Sequence, residues 1–300
     1  WAEDIKVGAP PKREVQVDNL LTDEEFTAML KSAPNPRDKA LYALLLDSGL
    51  RIGAVGSLRV KDVDVEGRTG KVSLNENANG LKDASGTLPL TWSKGYISNW
   101  LDVHPERDNG DAPLFYNTSD KDVANKEEND PSLSYYHLQR RLKKMAEDAG
   151  VDKDKVNPHN LRKTAITRWI RDGLTEQEIK HRATWVKDST MFEIYSQITD
   201  EEMNQQILDR YGIGEEEEHS RPELERCSQC RTTLPTPTPR FCPGCGTPLS
   251  QKAAESVDKV EEDIFSDAVE FEDENIASAL QDFRDLVNEN PTLKQALIDE

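Results

Sequence analysis

Apolar residues recur at helical spacing through most of the first two hundred positions, and the interruptions are short. Thr22-x-x-Glu25 has the composition of a capping box, which opens a helix running to about Ser32. After Asn35-Pro36, the run from Asp38 to Asp47 holds Ala40, Leu41, Ala43, Leu44 and Leu45, with Gly49 placed as the cap just past its end. Arg51 to Leu58 predicts a further short helix. Val60, Val63, Val65 and Val72 then stand among polar residues and turn formers, a pattern that predicts short antiparallel strands, and Leu88-Pro89-Leu90 closes the sheet.

Helical periodicity resumes over 93–103, over 132–149 through Leu133, Tyr136, Leu142 and Met145 to Gly150, and over 160–172 before Gly173. Thr175-x-x-Glu178 caps another helix, Asp188 or Ser189 caps the one carrying Tyr195, and Thr199-x-x-Glu202 opens a last one to about Arg210. The expected fold class is mainly α with a small antiparallel β-sheet. Beyond residue 212 the pattern changes. Residues 213–226, with Glu215 to Glu218, read as a solvated acidic linker, 227–250 as a cysteine module, and 251–275 as an acidic flexible segment. Ile276, Leu280, Phe283 and Val287 form a helical stripe before Pro291, so 276–300 is expected to be amphipathic helix. The division is therefore an N-terminal segment or end of a linker at 1–17, a main domain at 18–212, and these four smaller parts, with no internal repeat visible.

Three hundred residues suffice for one large domain and a small module. No eighteen-residue apolar run exists and residues 1–20 lack a signal-peptide core, so no membrane partner is expected and a cytoplasmic place is. The formal charge of −19 argues at first against a nucleic-acid partner, whose phosphates need Lys and Arg. Its distribution reverses that. Residues 1–212 hold 30 basic against 36 acidic side chains and residues 213–300 hold 8 against 21, whereas 131–187 hold 13 against 7. A basic face on an acidic body remains a workable DNA binder. Abundant Asp and Glu with few Lys also suit solubility in concentrated salt, where charge repulsion is screened within about 3 Å, and predict a halophilic archaeal source. An acidic tail on an ordinary cytosolic protein is the alternative.

The chemistry lies in His159-Asn160-Leu161-Arg162 and in Tyr195, thirty-three residues after Arg162. On a helix His159 and Arg162 lie three apart on one face and can grip one anion. Gly49-Leu50-Arg51-Ile52-Gly53 supplies a second arginine at a helix start. Planar, permanently charged guanidinium groups each hold two nonbridging oxygens, which is what a phosphodiester under attack by a tyrosine hydroxyl requires. Arg, His, Arg and Tyr in this order and at these intervals resemble the tyrosine recombinase, or phage integrase, family from about residue 18 to about 211.

The resemblance implies strand cleavage and rejoining of double-stranded DNA through a 3′-phosphotyrosine, with Tyr195 as nucleophile, Arg51 and Arg162 on the phosphate, and His159 bonding the phosphate or moving a proton. It implies that Lys82, seven residues before Pro89, protonates the leaving deoxyribose oxygen from a β-hairpin, with Lys71 as a rival. The usual Gly-His pair about ten residues before the nucleophile is Thr184-Trp185 here, and Trp185 can donate its indole N–H instead. Ala54 stands where an acid often supports the first arginine. Each residue also has a plain structural reading: surface ion pairs for the arginines, a helix-start cap for His159, a turn lysine for Lys82, core aromatics for Trp185 and Tyr195. The family usually carries a helical DNA clamp ahead of its catalytic domain. Only about twenty residues precede the pattern and the chain opens on Trp1, so this chain is expected to be a fragment lacking that clamp. Four protomers on DNA are expected by resemblance.

All four cysteines lie in Cys227-x-x-Cys230 and Cys242-x-x-Cys245, two pairs able to converge tetrahedrally on one structural Zn²⁺ in what resembles a zinc ribbon. Two disulfides are the alternative. Metal loss is expected to unfold this module and leave the part before residue 213 folded. Arg226, Arg231 and Arg240 permit DNA contact, whereas the acidic flanks favour a protein-facing or spacing role. The Ile276–Val287 stripe either self-associates or packs on the ribbon. Two rival functions follow: a catalytically silent DNA-binding regulator, and a protein-interaction adaptor built on the ribbon and the C-terminal helix.

Overall fold

The computed structural model describes residues 19–66, 69–74, 86–117, 131–186, 188–195, 204, 208, 224–235, 238–249 and 253. Helix α1 (Asp23–Ser32) opens on the expected capping box, Thr22 Oγ1 accepting from Glu25 N and Glu25 Oε2 from Thr22 N. Helix α2 (Pro36–Ser48) starts from the Asn35 side chain, which accepts from Asp38 N, and takes Pro36 in its first turn, where the missing N–H is no loss. Eleven of its thirteen residues are buried, so α2 is the central helix and α1, α3 (Ile52–Ser57), α4 (Lys94–Asp102), α5 (Tyr135–Ala149) and α6 (Pro158–Arg171) pack around it.

Gly49 ends α2 in the left-handed conformation (φ +59°), its N–H returning to Leu45 O at 3.0 Å. A Cβ there would lie 2.5 Å from the ring of Trp169 on α6. Gly49→Ala thus combines a left-handed alanine with an overlap against a packed indole, and we expect it to cost about 2–3 kcal/mol. Thermal denaturation checks this, and an unchanged melting midpoint would contradict it.

Three antiparallel strands, β1 (Val63–Asp64), β2 (Gly70–Ser73) and β3 (Thr87–Leu90), lie in the order β1-β2-β3 with Val63 opposite Val72 and Val72 opposite Leu88. These three side chains and Leu90 face the core, while Lys71 and Pro89 face out. Pro89 fits because β3 is an edge strand, where an absent N–H breaks no ladder bond. Val60 is not in the sheet: it begins a 3₁₀ turn (Val60–Asp62) closed by Asp62 N donating to Arg59 O.

Helix α5 is capped by Ser134 and ended by left-handed Gly150. Its Tyr136, expected in the apolar stripe, is exposed instead, since the buried face runs through Leu138, Leu142, Met145 and Ala146. Helix α6 begins two residues earlier than its apolar pattern, because Asn157 caps it and Pro158 fills its first turn. Helix α7 (Glu176–Arg182) carries the Thr175–Glu178 capping box, and α8 (Phe192–Tyr195) is a four-residue helix. Of the helix expected over 199–210, Asn204 and Leu208 are helical and the rest lies outside the described residues, as do the linker up to residue 223, Lys82 and the Ile276–Val287 stripe. No helix among the described residues is long and apolar enough to cross a membrane.

A second apolar cluster joins Leu20, Ala165, Ile166, Trp169, Ile170, Ile179, Ala183 and Tyr195 between α6, α7 and α8. The main cluster extends into the cysteine module through Leu224, Cys227, Leu234 and Cys242. That module is therefore part of the principal core rather than a bead beyond a linker.

Candidate active site and cysteine centre

Three helix ends meet at Arg162, one turn into α6 and almost fully buried. Its Nη1 donates to Gly49 O at 2.7 Å and its Nη2 to Ala183 O at 2.6 Å. Gly49 caps the C-terminus of α2 and Ala183 that of α7, where carbonyls lack helical partners and the helix dipole is negative, so a buried cation satisfies both ends at once. Arg51 follows Gly49 by two residues, partly buried, and Trp185 follows Ala183 by two. The Trp185 ring lies 5.9 Å from the Arg162 guanidinium carbon and 5.5 Å from the Tyr195 ring.

The fold thus brings Arg51, Arg162, Trp185 and Tyr195 together from four separate segments. Burial lowers the Arg162 pKa to about 10, with Arg51 adding like-charge repulsion and the Tyr195 phenol opposing it. Burial likewise raises the Tyr195 phenol above its ordinary value, against the pull of Arg162 and Arg51. At neutral pH the site therefore holds a neutral phenol and a charged Arg162. His159 lies exposed, one turn before Arg162 on α6. Lys82 falls outside the described residues, and its rival Lys71 is exposed on β2.

The end of α7 explains the Thr184-Trp185 departure. Trp185 N donates to Lys180 O and Thr184 N to His181 O, the paired bonds of a Schellman motif, with Thr184 left-handed at φ 54°. A β-branched residue there is strained, which is the physical reason a glycine belongs at this place. Thr184→Gly should stabilise the fold by about 0.5–1 kcal/mol, relief of strain exceeding the added freedom of the unfolded chain. A lower melting midpoint for this variant would contradict that account. Ala54 is buried and apolar, so the supporting acid expected near Arg51 is not supplied from this position.

Two functional candidates escaped the sequence reading. Asp47, fully buried in the last turn of α2, accepts from Arg182 Nη2 at 2.6 Å, and the Arg182 guanidinium lies over Trp169 at 4.9 Å. The signal for Asp47 is a carboxylate directly after the apolar run Leu44-Leu45-Leu46.

The four cysteine Sγ atoms lie within 4.8 Å of one another, with Cys227 to Cys245 at 3.7 Å and Cys230 to Cys242 at 3.5 Å. A tetrahedral Zn²⁺ with Zn–S bonds of about 2.3 Å sets S···S edges of about 3.8 Å, so the donor set fits this ion, and all four cysteines are free of disulfides. Gln229 N and Gly244 N each donate to the first sulfur of their knuckle at 3.3 Å. The two knuckles repeat: Cys227-Ser-Gln-Cys230-Arg-Thr-Thr-Leu234 matches Cys242-Pro-Gly-Cys245-Gly-Thr-Pro-Leu249, with left-handed Arg231 and Gly246 at equivalent positions. This corrects the expectation of no internal repeat.

The first knuckle sits on α4, where a Cβ on Gly95 would meet Ser228 Cα at 3.1 Å and Cys227 O at 3.2 Å. Arg231 pairs with Asp102 and Ser98, and Glu225 accepts from Lys39 Nζ at 2.7 Å. Arg231, read as a possible DNA contact, is committed to α4. Arg226 and Arg240 are exposed.

A model of the phage integrase family matches residues 19–202, which leaves the cysteine module outside the match. Tyrosine recombinase XerA of Pyrococcus furiosus is 26% identical over 202 residues, covering 66% of this chain and 63% of that protein. Tyrosine recombinase XerA of Thermococcus onnurineus is 27% identical over 205 residues, covering 68% and 66%. The chain thus spans just under two thirds of the length of these relatives. A crystal structure of XerA recombinase shares the fold at a TM-score of 0.51 and 20% identity, over 68% of this chain and 66% of that one.

Proposed function

Because the chain belongs to the phage integrase family, we propose that it is a site-specific recombinase or integrase that cuts and rejoins double-stranded DNA through a 3′-phosphotyrosine. The observation that carries this reading is the convergence of Arg51 and Arg162 on the Tyr195 phenol, where the two cations disfavour each other. A phosphodiester bound between them offsets both the repulsion and the desolvation cost of Arg162. Tyr195 Oη then forms a bond to phosphorus as the bond from phosphorus to the 5′ oxygen breaks. The phenol proton leaves during attack, His159 bonding the phosphate or taking up that proton, and Lys82 delivers a proton to the departing oxygen. Trp185 holds a nonbridging oxygen through its indole N–H. Attack by a 5′ hydroxyl on the phosphotyrosine reverses the step and restores the phenol.

The excess of basic residues over 131–187, with Tyr135 and Tyr136 exposed on α5, supports duplex contact. Assembly as a tetramer on DNA, a nucleoid place in the cytoplasm and a salt-rich archaeal source belong to the same reading. Cys227, Cys230, Cys242 and Cys245 hold one Zn²⁺, which supplies a structural cross-link. The test is a duplex nicked near the cleavage site, so that the released fragment diffuses away and the adduct is trapped. A covalent protein–DNA band in denaturing gels is expected. Its absence, with the duplex bound, leaves the DNA-binding regulator as the better description.

A further inference from the structure

The Asp47 carboxylate is an unusually well-supplied acceptor. It receives Thr91 N at 2.8 Å, the Thr91 hydroxyl, Ser93 N at 3.1 Å, Ser93 Oγ at 2.6 Å and Arg182 Nη2 at 2.6 Å, and Arg182 Nη2 also donates to Asp47 O at 2.8 Å. Asp47 stands two residues before Gly49, and Arg182 directly before Ala183. Those are the two residues whose carbonyls bracket Arg162. A closed ring results: Asp47 through the chain to Gly49 O, across Arg162 to Ala183 O, through the chain to Arg182, and by the ion pair back to Asp47. Trp169 fills one side of it, packed on Gly49 and beneath the Arg182 guanidinium.

Arg51 and Trp185 each leave this ring two residues beyond a bracketed carbonyl. The C-termini of α2 and α7 are both negative dipole ends and would repel each other, so two cations interposed between them fix their separation. An apolar pair would seal the same space with less desolvation cost but without a defined distance between the two carbonyls.

We propose that the buried Asp47–Arg182 pair positions the active site: it sets the spacing of the Gly49 and Ala183 carbonyls, and through them the placement of Arg162, Arg51 and Trp185 around Tyr195. Neither residue touches the DNA in this scheme. The inference rests on the recombinase reading of the same site.

The test uses the full chain with the nicked duplex and compares Arg182→Gln, Arg182→Met and Arg182→Lys, measuring DNA affinity, melting midpoint and single-turnover adduct rate at saturating DNA, well below melting. Loss of the pair should slow adduct formation about 10- to 100-fold, as supporting residues around reactive groups commonly do, while DNA affinity stays within about threefold. Arg182→Lys, which keeps the charge on Asp47, should recover most of the rate. Should Arg182→Met not fold, Arg182→Gln carries the comparison, since its neutral amide removes the ion pair but keeps the site polar. Adduct rates equal to the unaltered protein in Arg182→Gln, with only a lowered melting midpoint, would reduce the pair to a structural contact and overturn the proposal. A rate loss matched by an equal loss of affinity would also overturn it. No adduct with the unaltered protein would instead remove the recombinase reading, and this proposal with it.

Discussion

Tyr195→Phe is expected to form no covalent adduct with the nicked duplex, yet to bind it with an affinity close to that of the unaltered protein. The substitution removes one oxygen from a buried ring, and the surrounding contacts with Trp185 and the apolar cluster of α6, α7 and α8 are kept. Its stability should therefore change little, or rise slightly, since a phenol held above its ordinary pKa by burial is one whose hydroxyl loses solvation on folding. The companion variant needs care. Arg162→Ala deletes the charge facing the phosphate, a loss on the order of 10²–10³ in rate. It also leaves the buried Gly49 carbonyl without its donor, at about 1–3 kcal/mol, and Ala183 O with only the Thr184 hydroxyl, so lost activity there mixes chemistry with a loosened fold. Arg162→Lys keeps a cation against at least one carbonyl while losing the two-pronged grip. A residual, slow adduct is expected from it and none from Tyr195→Phe. An adduct from Tyr195→Phe at the unaltered rate would remove Tyr195 as the nucleophile and require another hydroxyl in the site.

Stripping the metal, or Cys242→Ser, should lower the melting midpoint of the whole integrase-fold domain, and not of the cysteine module alone. The sequence predicts the opposite, a module that unfolds by itself behind a linker. The wider effect is expected because Leu224, Leu234 and the sulfurs of Cys227 and Cys242 are buried in the same apolar cluster as Tyr96, Ile97 and Trp100 of α4. Exposing two leucines alone forfeits about 3–5 kcal/mol, or roughly 10 °C in a domain of this size. The ion pair of Arg231 with Asp102, on a half-exposed surface, contributes little beside that. Zinc content by metal analysis, with calorimetry before and after chelation, decides the matter. A metal-free protein whose main transition stays at the same temperature would restore the independent module, and a protein that never contained zinc would remove the metal centre.

How much of this was legible in the chain follows from the reach of each signal. Capping works across three or four residues, so Thr22 with Glu25, Thr175 with Glu178, and Gly49 past Ser48 marked helix ends that the structure reproduces closely. Asn157, capping α6 before Pro158, obeys the same local chemistry but precedes the apolar pattern of the helix. The fold class followed from the same signals. The identities of Arg51, Arg162, Trp185 and Tyr195 as a candidate set were also available through resemblance to the family in order and spacing, and the four cysteines through their own spacing.

Distance in the chain hid the rest. Tyr136 has helical spacing with Leu133 and is nonetheless exposed, because the buried face is chosen by the neighbours α5 meets, not by the period itself. Arg162 is written in the sequence as a charge, but that its guanidinium closes two helix ends is decided by Gly49 and Ala183 arriving from 113 and 21 residues away. Asp47 and Arg182 stand 135 positions apart, and nothing local distinguishes them from a helix-end acid and a helix-end base. The docking of the cysteine module on Gly95 depends on a close backbone approach that only the packed structure reveals. The sequence by itself determined which groups carry charge, sulfur and a phenol, and where helices start and stop, since those are properties of single residues and of near neighbours. Only the tertiary structure decided which of them meet, because burial and like-charge repulsion act between segments that the chain keeps far apart.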